Sequence, residues 1–199
     1  TELADGSAVS LLLLTAVACI VLGMGMPSGV IYFMLALLIA PALVEAGIPA
    51  MAAHLFLFYF GMLSLITPPI CIAVFAACAV AGTDFWPTGI AAVRLGIAAY
   101  VVPFVFVFQP ALIFDGSILD IIIVGLKTAA GVTILATGMA GYLFRAMTIP
   151  EQVLIAVAGA VIMVTPISVA YATPIIGGSV LIVLVIGLIQ KRQINQIPV

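Results

Sequence analysis

Apolar residues fill this chain in blocks, separated by short clusters of glycine, proline and a few charges. The first block covers 9–22 (VSLLLLTAVACIVL) and the second 30–44 (VIYFMLALLIAPALV). Each is shorter than the roughly 20 residues a helix needs to cross a bilayer. Between them lies GMGMPSG, 23–29, with three glycines and a proline in seven residues. A continuous helix does not survive that composition, so 9–44 predicts a re-entrant helical hairpin with its tip at GMGMPSG. A turn at 45–49 (EAGIP) leads to a half-helix at 51–62. The segment SLITPP, 64–69, then interrupts the run before a second half-helix at 70–82. Full-length spans are predicted over 89–108, with Pro103 as a kink, and over 118–144. Loops follow at 109–116 and 145–151, and a last pair of apolar helices at 152–169 and 175–190 flanks AYATP, 170–174.

Composition fixes the solvent. Of 199 residues 66% are hydrophobic and 6% charged, with a mean hydropathy of +1.49. Soluble domains carry about 25% charged residues. The pattern predicts an all-α membrane protein with a re-entrant hairpin and a discontinuous helix. The net charge of −2 comes with no basic patch, so no nucleic-acid partner is expected. Arg94, Arg145, Lys191 and Arg192 collect on one face, whereas 45–50, 109–117 and 170–174 hold no Lys or Arg. The positive-inside rule makes the basic face, and with it the C-terminus, cytoplasmic. The opening TELADGS lacks a charged n-region and a cleavage site, which suggests a fragment, with 1–8 a truncated segment.

The chemistry sits in the two interruptions. Freed backbone groups cost several kcal/mol each in lipid, so such backbone must lie in protein or line a watery cavity. Carbonyls released by glycine or proline, with the hydroxyls of Ser28, Ser64 and Thr67, are hard oxygen ligands suited to sodium. Half-helix N-termini at Ser28 and Ile70 suit an anion.

These stretches carry a resemblance. GMGMPSGVIYFMLALLIAPALVEAGIP, AAHLFLFYF, ITPP, GTDFWPTG and VPFVFVFQPAL together resemble the large membrane subunit of tripartite ATP-independent periplasmic (TRAP) transporters. Among these the fused permeases that serve TAXI-type binding proteins are the most similar, strongly over 20–114 and less so beyond. The resemblance implies an elevator-type transporter with two inverted repeats, of which this chain would hold the second. On that reading 9–82 is half of a transport domain (hairpin 9–44, broken helix 51–82), 83–114 a following helix and 115–199 additional C-terminal helices. It implies import of organic acids (carboxylates) with sodium as coupling ion and no other cofactor. Sodium ligands would be Gly25, Met26, Ser28, Gly61, Thr67 and Pro68, through carbonyls or hydroxyls. Substrate would meet Pro27, Ser28, Gly29, Ser64, Pro69 and Ile70. After Pro27 the family's hydroxyl pair is replaced by Ser28-Gly29, which leaves more of the coordination to carbonyls. Implied partners are a periplasmic TAXI-type binding protein, a small membrane subunit or its fused equivalent, the N-terminal repeat and the lipid bilayer. The implied location is a bacterial or archaeal inner membrane.

Other residues have simpler expectations. His54 is expected to bond a neighbour, and Cys19, Cys71 and Cys78 to pack as small residues. Asp84 and Arg94 are expected to flank an inner loop, with Trp86 as an interfacial anchor. Lys127 and Asp120 share a helix face and are expected to pair or to reach the interface. Two other functional classes were weighed. An intramembrane or lipid-handling enzyme would need a dyad such as His54 with Ser64, which ten residues of helix hold about 15 Å apart. A passive assembly module would gain nothing from broken helices. No nucleotide-binding loop is present.

Overall fold

A computed structural model describes residues 8–166 and 172–194; the first seven residues of the predicted segment 1–8, the last three of the predicted helix 152–169 and part of the 170–174 turn lie outside the described residues. Among the described residues there are ten α-helices, a short 3-10 turn and no strand. The chain divides into two compact units, one ending at Val107 and one beginning at Phe108.

In the first unit the hairpin arms are α1 (Ala8–Gly23) and α2 (Ser28–Leu38), extended by a short α3 (Ala40–Glu45). The predicted run 30–44 is therefore interrupted at Ile39. Pro41 explains it, because its ring clashes with the carbonyl one turn back and it offers no N–H. All three helices lie against α4 (Ala50–Leu63). Leu12, Cys19, Ile31, Leu35, Leu43, Phe56 and Leu57 are buried there. After α4 the chain is irregular until α5 (Ile72–Ala81), so the second half-helix begins two residues later than the expected Ile70. Cys71 takes φ 22°, a left-handed backbone, and this places the helix start after it.

Gly82 closes α5 in the left-handed conformation, its N–H donating to the Cys78 carbonyl at 2.8 Å. Then α6 (Phe85–Leu95) and α7 (Ile97–Phe108) follow, together one apolar span of 24 residues. Two expectations are corrected here. The expected single span is interrupted at Gly96, where Ala99 N–H bonds the Gly96 carbonyl at 2.9 Å, and Pro103 lies inside α7. Asp84 and Arg94 sit at opposite ends of α6 and enclose a helix rather than a loop.

The second unit opens with the 3-10 turn Pro110–Ile113 inside the expected loop. It continues with α8 (Ile118–Ala140), α9 (Ile149–Val164) and α10 (Ala172–Ile194). Helix α8 stops four residues before the expected end because Gly141 adopts a left-handed cap. Helix α9 starts inside the expected loop. Thr148 and Glu151 form a capping box, and Pro150 fits the first turn, where its missing N–H costs nothing. Helices α8 and α9 approach through glycine: a Cβ at Gly159 would lie 2.4 Å from Leu135 N, and one at Gly138 2.5 Å from Ala156 N. Small residues at such a seam let membrane helices pack by close backbone contact.

Three helical stretches, Phe85–Phe108, Ile118–Ala140 and Pro174–Lys191, are long and apolar enough to cross a bilayer. Their outer faces carry exposed leucine, isoleucine and valine, which lipid rather than water accommodates.

Candidate functional site at the two broken elements

The first unit brings the two sequence interruptions together. Helix α1 ends at Gly23 and α4 at Leu63. A Cβ at Gly23 would stand 2.7 Å from Ser64 Oγ and 3.2 Å from the Gly61 carbonyl oxygen. Only glycine admits that approach. Gly61 is in turn pressed by the hairpin's second arm, since a Cβ there would meet Ile31 Cγ2 at 2.7 Å. Two helix C-termini thus converge, each carrying roughly half a negative charge from its aligned peptide dipoles.

The double proline determines what happens to the α4 carbonyls. In a continuous helix Ser64 and Leu65 would accept from residues 68 and 69, but both are proline and have no N–H. The Leu65 carbonyl is instead taken by Ala73 N–H at 3.1 Å, across the interruption. Hydroxyls serve the neighbouring carbonyls. Ser64 Oγ, buried, donates to Gly61 O at 2.6 Å, and Thr67 Oγ1 donates to Leu63 O at 2.6 Å. The Pro68–Pro69 peptide bond is cis. Helix α6 crosses behind it, with a Cβ at Gly89 only 3.0 Å from Pro68 Cγ.

Of the residues expected in the site, Gly61, Ser64, Thr67 and Pro68 line this junction. Gly25 takes φ 81° at the hairpin tip and faces Ile70, whose Cγ2 would be 3.8 Å from a Cβ there. Met26 N–H turns back to the Gly23 carbonyl at 3.5 Å. Pro27 caps α2 in extended conformation, Ser28 and Gly29 open that helix, and all three are exposed, as are Pro69 and Ile70. A Cβ at Gly29 would touch nothing within 4 Å. The anion-favouring helix starts are therefore Ser28, as expected, and Ile72 in place of Ile70.

Two residues of the junction were missed. Gly23 opens the GMGMPSG stretch and carries the approach to Ser64; its place at the end of an apolar run was the available signal. Tyr100, on α7, lies with its hydroxyl 2.7 Å from Thr67 Oγ1, and nothing in the sequence links the two.

His54 bonds a neighbour, as expected. Its Nδ1 lies 3.1 Å from the Tyr32 hydroxyl and ties α4 to α2. With His54 on Tyr32 and Ser64 on Gly61, no His54–Ser64 dyad forms. Among the described residues no three His, Cys, Asp or Glu side chains gather to hold a metal.

A family model for the DctM component of the tripartite ATP-independent periplasmic transporter matches residues 1–121. The chain belongs to the DctM family. It is a multi-pass membrane component of a TRAP transporter, and not an enzyme. The family works with a periplasmic binding protein and a small membrane subunit. The match covers the hairpin, the broken helix and the span to Phe108, so both interruptions lie within the family region of the chain. No curated protein and no solved structure matches the chain.

Proposed function

We propose that this DctM chain carries the second repeat of a sodium-coupled importer of organic acids, served by a TAXI-type binding protein in a bacterial or archaeal inner membrane. The observation that carries the reading is the meeting of two helix C-termini at Gly23 and Ser64. Their carbonyl ends attract a cation, and the hydroxyl oxygens of Ser64 and Thr67 offer lone pairs beside them. Sodium takes hard oxygen ligands and needs no buried carboxylate here. Gly25, Met26, Gly61 and Pro68 would add carbonyls, and Ser28 a hydroxyl. The helix starts at Ser28 and Ile72 favour an anionic substrate, with Pro27, Gly29, Pro69 and Ile70 exposed beside them. On this reading the second unit supplies additional C-terminal helices, and the C-terminus lies in the cytoplasm.

The test uses the complete permease, with its small subunit and binding protein, in proteoliposomes. Uptake of a labelled carboxylate panel is measured with an inward sodium gradient and with potassium in its place. Sodium-dependent uptake, with the sodium requirement raised at least tenfold by Thr67→Val, is expected when one ligand oxygen is lost, about 1.4 kcal/mol. Uptake indifferent to both changes contradicts the reading.

A further inference from the structure

We propose that Tyr100 is a positioning residue: it orients the Thr67 hydroxyl as a cation ligand and thereby sets the sodium affinity of the site. The inference rests on the sodium reading above.

Thr67 has one hydroxyl proton, and that proton goes to the Leu63 carbonyl at 2.6 Å. The Tyr100 hydroxyl stands 2.7 Å from the same oxygen. With the threonine proton committed, Tyr100 is the donor of the second bond. The order is therefore Tyr100 to Thr67 to the Leu63 carbonyl. A hydroxyl oxygen has two lone pairs. One receives Tyr100, and the other remains, its direction fixed by two hydrogen bonds. A threonine held by one bond alone could swing its proton toward an arriving cation.

The second observation concerns the backbone. Residues 64–71 have no helical ladder through Pro68 and Pro69, so their position depends on contacts from outside. Helix α7 and the residue before it provide them. Gly96 lies against Ile66, where a Cβ would be 3.0 Å from Ile66 Cδ1, and Tyr100, one turn further on, holds Thr67. Tyr100 is the one hydrogen-bonding side chain in α7, IAAYVVPFVFVF. A half-buried tyrosine hydroxyl in such a helix needs a partner, and Thr67 supplies it.

The test is the sodium dependence of uptake by the complete transporter in proteoliposomes, in the wild type and in Tyr100→Phe. The variant keeps the ring and removes only the hydroxyl. Its half-saturating sodium concentration should rise about three- to tenfold, the worth of one neutral hydrogen bond. The half-saturating concentration of loaded binding protein, measured in saturating sodium, should stay put. Thr67→Ser, which keeps the hydroxyl, should raise the sodium requirement less than Thr67→Val does. In a Thr67→Val background Tyr100→Phe should add no further shift. An unchanged or lowered sodium requirement in Tyr100→Phe overturns the inference, as does a shift that simply adds to that of Thr67→Val. Wild-type uptake that ignores sodium overturns the coupling reading as well. A sodium-dependent wild type with an unmoved Tyr100→Phe overturns this inference alone.

Discussion

Helices α4 and α9 both stop short of a full crossing, and their C-terminal ends are finished with different chemistry. With 14 and 16 residues they span about 21 and 24 Å, against about 30 Å of hydrocarbon. At the end of α9, Gln109 Nε2 donates to the carbonyls of Met163 at 3.2 Å and Val164 at 3.3 Å. Lys127 Nζ donates to the Thr165 carbonyl at 2.7 Å and to Gln109 Oε1. At the end of α4, the hydroxyls of Ser64 and Thr67 turn back onto the Gly61 and Leu63 carbonyls. The α9 end has such a hydroxyl too, Thr165 Oγ1 donating to the Val161 carbonyl at 2.7 Å. What distinguishes it is the added ammonium and amide NH2, which consume acceptors and return none, whereas a hydroxyl consumes one and returns its own lone pairs. The α9 end already holds a cation, the lysine itself. At the α4 end the Ser64 and Thr67 hydroxyl oxygens lie beside the carbonyls they bond. In the sodium reading, Lys127 does permanently at α9 what the ion does reversibly at α4.

The comparison can be broken most forcefully at the glycine seam. Gly159→Val would drive its side chain into the Leu135 backbone, 2.4 Å from a Cβ, and push α9 away from Lys127. A loss of about 3 kcal/mol or more is expected, seen as low yield and early melting in detergent. Lys127→Met removes the resident cation and leaves the Thr165 carbonyl and Gln109 Oε1 without their donor. About 2 kcal/mol of stability should go, with the sodium dependence of uptake intact. If Lys127→Met instead abolishes sodium dependence, the two helix ends do not have separate tasks.

The smallest effect belongs to the opposite end of α9. Glu151 accepts from Thr148 N–H at 2.8 Å and from Arg145 at 2.8 Å. The Thr148 backbone bond above all holds its carboxyl below the ordinary glutamate value; burial opposes it, and the Thr148 hydroxyl and Arg145 add to the lowering. A depressed value means the stabilisation is present above the ordinary value near 4.5 and lost as pH falls through the lowered one. Glu151→Gln should cost about 0.5–1 kcal/mol at pH 7 and nearly nothing at the acid end of a melting series. Sodium dependence should not move.

Which of these features could be read from the chain follows from their range. Glycine and proline act locally, so GMGMPSG and ITPP mark both interruptions without any tertiary information. The same local rules held a capping box, Thr148 with Glu151, that the turn reading of Pro150 hid. The start of α5 was misplaced because the left-handed Cys71 follows the prolines and has no signature of its own. The α6–α7 interruption has a similar origin, since a lone glycine need not break a helix and Gly96 lies against Ile66, a contact the local sequence does not show. Lys127 and Asp120 share a helix face, yet Asp120 accepts from the Ser117 hydroxyl at 2.6 Å at the head of α8 and Lys127 turns to Gln109 and Thr165. Gln109 and Val164 are 55 residues apart, Lys127 and Thr165 are 38 apart, and Tyr100 and Thr67 are 33 apart. Pairings across such distances depend on helix packing, which no local pattern encodes.

The most direct measurement is the melting temperature of the purified permease in sodium against potassium at equal ionic strength. An ion that binds only the folded state adds about 2.7 kcal/mol at one hundred times its dissociation constant. Sodium should raise the melting temperature of the wild type and of Lys127→Met by similar amounts, and that of Thr67→Val by about half as much, since a tenfold weaker site leaves about 1.4 kcal/mol. Equal melting in the two salts for the wild type, or undiminished sodium stabilisation in Thr67→Val, would contradict a cation site at the end of α4.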